Sequence, residues 1–72
     1  IKKEVLHVIE QLPLEQYDLL YNVYVHGAKL KDYAVIADKS YNWVKSVHGT
    51  ALLNVRQILK ENKTNYLEVA NE

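Results

Sequence analysis

Seventy-two residues without a cysteine make one small domain, which hides only about 60% of its unfolded surface and can hold neither a disulfide framework nor a thiolate metal site. Apolar residues make up 49% of the chain, enough for a modest core; no apolar run approaches the roughly 18 residues that cross a bilayer and no signal peptide is visible, so a cytoplasmic protein without a membrane partner is expected. Formal net charge is zero, so any attraction to phosphate has to come from a local basic surface.

The chain opens on Ile1 rather than methionine and reads as part of a longer parent protein. Ile1, Val5, Val8, Ile9 and Leu12 follow helical spacing and form the apolar stripe of a first helix. Pro13 ends it and opens the next, because a first helical turn has no use for the missing N–H. In the second helix Tyr17, Leu20, Tyr21, Tyr24 and Val25 share one face, widened by Leu19 and Val23. That face reads as core more than as a binding groove, although with Leu14 and Leu20 part of it could stay exposed to a partner. Gly27 suits the left-handed residue just past the helix end.

A short third helix is predicted from about Leu30 to Ala37, with Leu30, Tyr33, Ala34 and Ala37 on one side. The small side chain of Ala34 lets the next helix cross closely. Asp38-Lys39 is the turn, since Asp tolerates the left-handed conformation better than most residues. Ser40 is a good N-cap. The fourth helix is predicted from Tyr41 to about Glu61, because Val44, Val47, Ala51, Leu52, Val55, Ile58 and Leu59 keep one phase. Gly49 costs about 1 kcal/mol relative to alanine in a helix interior. The continuous phase nevertheless favours one helix over a break at Gly49 with Thr50 capping a fifth. Residues 62–72 read as a tail, either one short turn capped by Thr64 or a frayed end. The expected fold is all-α: a small bundle of four helices whose third and fourth form a helix-turn-helix.

The succession of Leu12-Pro13, an acidic amphipathic helix, Tyr24-Val25-His26-Gly27, Leu30-Lys31-Asp32-Tyr33-Ala34, Ser40 to Ser46 and Ala51-Leu52 resembles the fourth region of bacterial sigma factors. It is also similar to the sigma-like regulators of phages and mobile elements in low-GC Gram-positive bacteria. The likeness runs without a gap from Leu12 to about Leu59. It implies a helix-turn-helix that binds double-stranded promoter DNA, often while touching RNA polymerase. By position, it puts Tyr41, Asn42, Lys45 and Ser46 at base edges. Lys29, Lys31, Lys39, Trp43 and Thr50 fall to phosphate contact. Thr50 stands where the family usually carries arginine or lysine, and His48-Gly49 also departs from the family pattern.

Charge distribution fits a local basic surface. Residues 28–60 carry a net +4, while residues 1–27 and 61–72 carry −2 each. Asn42 can bond adenine N6 and N7 in the major groove, although asparagine is also common as a solvated first-turn residue. Lys45 can reach guanine or phosphate, or be one exposed lysine among eight. Tyr41 reads as an exposed contact, and Trp43 as either a phosphate neighbour or a core anchor with a large burial payload. His7, His26 and His48 lack ligand spacing, so no metal or other cofactor is expected. No catalytic constellation appears: Ser40 and Ser46 lack a nucleophile-elbow context, and the two glycines make no phosphate loop. The expected protein is therefore a non-enzymatic DNA-binding domain acting in transcription. Its alternatives are a module binding RNA polymerase or another regulator without DNA readout, and the DNA-recognition domain of a phage packaging protein. Target sequence and oligomeric state are left open.

Overall fold

A computed structural model gives the backbone of residues 3–70 and the side chains of residue 3 and residues 5–61. Four helices follow one another: α1 (Lys3–Ile9), α2 (Leu14–Tyr24), α3 (Leu30–Ala37) and α4 (Tyr41–Ala70), with no strand among the described residues. The all-α class expected from the hydrophobic spacing is the class observed. Ile1, assigned to the first apolar stripe, lies outside the described residues, as do residues 71–72 of the expected tail.

Each boundary has a local cause. Leu12 precedes Pro13, whose ring disfavours helical backbone in the residue before it, so α1 stops at Ile9 and Leu12 follows in a turn, still buried. Pro13 is the N-cap of α2, and its carbonyl accepts bonds from the N–H groups of Gln16 and Tyr17. Gly27 has φ of 73°, a left-handed backbone that costs glycine nothing. Val25, expected on the α2 stripe, is the C-cap of that helix instead.

α3 ends in a Schellman arrangement. Asp38 takes φ 56° and ψ 46°, the Lys39 N–H bonds the Ala34 carbonyl at 2.9 Å, and the Asp38 N–H bonds the Val35 carbonyl at 3.2 Å. Ser40 then starts α4, its Oγ accepting the Trp43 N–H at 3.0 Å. Gly49 lies inside a continuous helix, as the unbroken apolar phase required. α4 continues to Ala70 instead of ending near Glu61; no proline or glycine follows Gly49 to stop it. At about 1.5 Å per residue, this 30-residue helix accounts for most of the molecule's 50 Å long dimension.

The core has two parts joined through α2 and α4. Ile9, Leu12, Leu20 and Ala51 form one, with Tyr17, Tyr21, Val55 and Ile58 packed on it. Leu19, Tyr33, Ala34 and Val44 form the other, with Val23, Leu30, Trp43 and Val47 around it. Adjacent Leu19 and Leu20 thus serve different clusters, each burial stabilising by about 1.5–3 kcal/mol. Ala51 and Ala34 are the small residues at the contacts of α4 with its neighbours, and Ala51 is fully buried. The aromatic face of α2 is drawn into this core at Tyr17 and Tyr21, whereas Tyr24 is half exposed.

Polar pins cross between helices. The Tyr33 hydroxyl donates to Asp18 Oδ2 at 2.5 Å, joining α3 to α2. Asn54 Nδ2 donates to Gln16 Oε1 at 2.8 Å, joining α4 to α2. Among the described residues, no buried side-chain nitrogen or oxygen lacks a hydrogen-bond partner.

Candidate functional site

The three residues between α3 and α4 fix where the first turns of α4 point. Asp38 reverses the chain in the left-handed conformation and Ser40 closes the open end of the helix. Val44 is buried completely against α2 and α3, which turns the opposite side of α4 outward. On that side Asn42, Ser46, Gly49 and Leu53 succeed one another at helical spacing, and all four are exposed. A Cβ added at Gly49 would meet nothing within 4 Å, so no neighbour within the domain requires glycine there.

Tyr41 and Lys45 flank this outward line. They are one turn apart, and Lys45 Nζ lies 4.9 Å from the Tyr41 ring centroid. Lys31, from α3, approaches the same ring at 5.7 Å. Lys39 Nζ lies 5.1 Å from the centre of the Trp43 ring. An ammonium group over an aromatic face at such distances is held by the ring quadrupole, worth about 0.5–1 kcal/mol at an exposed site. Among the described residues, Lys31, Lys39 and Lys45 make no ion pair, and the Tyr41 hydroxyl makes no hydrogen bond.

Most of the residues singled out from sequence therefore gather at the α3–α4 junction. Lys31, Lys39, Ser40 and Tyr41 line one open groove between the two helices. Lys29, the exposed N-cap of α3, lines the neighbouring hollow with Lys31 and Tyr41. Asn42, Lys45 and Ser46 are exposed beside them. Trp43 is half-buried: its ring packs on the Leu19–Val44 cluster while carrying Lys39 on its face. Thr50 is exposed one turn beyond Ser46, about half a turn around the helix from Tyr41, and so stands apart from the lysines.

The electrostatics of the junction lean basic: Lys31 and Lys39 line the groove with one carboxylate, Asp38. The first turn of α4 contains no acidic residue, which leaves the positive end of its macrodipole uncompensated. Asp38 in the turn is the nearest carboxylate in the sequence. The junction thus gathers three lysines without ion pairs among the described residues, and the N-terminus of α4, around two aromatic rings whose faces those lysines approach.

Two features had no visible signal in the sequence. Lys31 and Tyr41 are ten positions apart in different helices, so only the folded crossing brings them together. His48, which could have been a helix-surface residue near phosphate, has its Nε2 3.3 Å from the Tyr24 hydroxyl, and the two rings stack with centroids 6.3 Å apart. The Tyr41–Lys45 contact could have been found, because residues four apart in a helix are neighbours. No described helix is long and apolar enough to cross a membrane. No family model, curated protein or solved structure compared with the chain matches it.

Proposed function

We propose that the chain is a sequence-specific DNA-binding domain acting in transcription, with α3 and α4 as a helix-turn-helix whose second helix enters the major groove. The observation that carries this reading is the exposure of Asn42, Lys45 and Ser46 on the opening turns of α4, free of the rest of the domain. An α-helix with its side chains is about 10–12 Å across and the major groove about 12 Å wide, so such a turn fits once nothing of its own domain covers it. The short connection, the Ser40 cap and the small Ala34 at the crossing support the same arrangement. The order and spacing from Leu12 to Leu59 that resemble the sigma fourth region extend the reading to promoter DNA and to RNA polymerase as a second partner.

Selection of duplexes from a randomised pool, followed by fluorescence anisotropy on a selected and a random duplex, tests the proposal. The chain is expected to enrich a defined sequence and to bind it in a salt-sensitive way. Asn42→Ala is expected to erode the preference at one base pair by about 1–3 kcal/mol. No enrichment, and no binding of any duplex at tens of micromolar protein in low salt, refutes it.

One observation favours a second reading, a module that binds a protein without DNA readout. Val35 and Ile36 are 81% and 79% exposed on α3, Val35 at the edge of the α3–α4 groove, an apolar pair open to a partner such as RNA polymerase. That reading takes over if duplex binding is absent and the chain co-sediments with polymerase, with loss of the complex in Val35→Ser/Ile36→Ser.

A further inference from the structure

We infer that Lys31, Tyr41 and Lys45 form a single phosphodiester-binding site on one wall of the groove, and that base reading falls to the central line of Asn42 and Ser46. This rests on the DNA-binding reading and divides the labour within it differently from the sequence resemblance, which put Tyr41 and Lys45 at base edges.

Three observations carry it. Both ammonium groups converge on the Tyr41 ring, from α3 and from the second turn of α4. Like charges gather there without a carboxylate partner among the described residues, so an anion between them relieves their repulsion. The Tyr41 hydroxyl has no hydrogen-bond partner among the described residues and is a neutral donor on the same side chain. The position on the helix favours the wall for Tyr41. Successive residues are about 100° apart around an α-helix, so with Asn42 facing the groove floor, Tyr41 faces a groove wall. Groove walls are sugar and phosphate. Lys45, bound over the Tyr41 ring, is drawn to the same wall. The ring acts as a post that holds two flexible lysines against it and thereby lowers the ordering cost of binding.

The site has a quantitative signature. Affinity for duplex DNA falls with salt, the slope of log Kobs against log salt decreasing by about 0.9 for each phosphate neutralised. Two lysines on separate phosphates contribute about twice that, whereas two on one phosphate contribute it once. Anisotropy titrations over a salt series, on the selected and the random duplex, compare Lys31→Gln, Lys45→Gln, the double variant, Tyr41→Phe and Asn42→Ala. All of these side chains are exposed, and circular dichroism melting checks that the variants stay folded.

The expected result is that the double variant loses about 0.9 of slope in total, with equal weakening of both duplexes. Tyr41→Phe, which keeps the ring but loses the donor, weakens both duplexes about three- to tenfold at unchanged slope. Only Asn42→Ala narrows the gap between them. A double variant that loses about twice that slope overturns the single site. Lys45→Gln or Tyr41→Phe changing which sequence is preferred overturns the wall assignment, while DNA binding itself stands. A wild-type chain that binds no duplex overturns this inference together with the reading beneath it, and inorganic phosphate competing at millimolar concentration as well as duplex does would reduce the site to a simple anion site.

Discussion

Replacing Tyr33 with phenylalanine removes one oxygen atom and, with it, the pin between α3 and α2. The hydroxyl donates to Asp18, and Tyr33 is only 7% exposed. Burial first, then the bond to the Asp18 carboxylate and its charge, with Glu15 adding to them, push the phenol from 10.0 up to about 12. That displacement, at most about 2.7 kcal/mol, is the extra cost of ionising the phenol in the folded chain, with burial its largest cause, and it acts only where the phenol loses its proton. At neutral pH the loss is the hydroxyl's bond to the Asp18 carboxylate, and because Asp18 is exposed to solvent that bond contributes about 1–2 kcal/mol. After the substitution Asp18 still has the Asn22 side-chain amide near it as well as water, so little is left unsatisfied. Tyr33→Phe should therefore unfold about 1–2 kcal/mol more easily at neutral pH, a fall in Tm of about 4–8 °C per kcal/mol for a domain of this size.

The pH dependence has a definite direction. In the unfolded chain the phenol releases its proton near 10, while the folded chain holds it until about 12. The contribution is fully present below pH 10 and is lost as pH rises through 12. Urea denaturation of wild type and Tyr33→Phe, followed by circular dichroism in steps from neutral pH to pH 12, reads it directly. The other tyrosines are common to both proteins, so the difference isolates Tyr33. The gap between the two should close between pH 10 and 12. Parallel decline over that range, or equal stability at neutral pH, would refute the argument.

Gly49→Ala should raise stability by about 0.5–1 kcal/mol, since the new methyl meets nothing; a lower Tm would mean that this face is covered within the domain. Ser40→Ala should cost about 1 kcal/mol by releasing the Trp43 N–H, with hydrogen exchange rising in the first turn of α4 and not in α2; uniform loss across the domain would contradict a capping role.

Much of this architecture is legible along the chain. The bounds of α3, the left-handed Asp38, the Ser40 cap and the passage of α4 through Gly49 follow from nearest-neighbour chemistry, and each is observed. What escapes is of two kinds. After Gly49 no glycine or proline interrupts α4, so periodicity, which fades past Leu59, had nothing to mark its continuation to Ala70. The contacts of Tyr33 with Asp18, Lys31 with Tyr41 and Tyr24 with His48 join different helices, and no local rule encodes which residues of two helices meet at a crossing. The outward line of the candidate site was readable by the same logic as the core, as the complement of Val44, Val47 and Ala51 on one helical wheel. The grouping of its lysines around Tyr41 was not.

The Asp38–Ser40 connection has a kinetic corollary. Backbone bonds tether its start to α3 and a hydroxyl tethers its end to α4, so almost no slack separates the two rods. In the proposed complex such a body would meet the duplex as a wedge already in final shape, with few torsions to freeze on contact. Its heat-capacity change on association should report dehydration of the touching surfaces without a coupled-folding contribution. Encounter then becomes a question of angular alignment, in the range of about 10⁵–10⁷ M⁻¹s⁻¹ for docking two preformed patches, and differences in affinity among variants should show chiefly as dwell time.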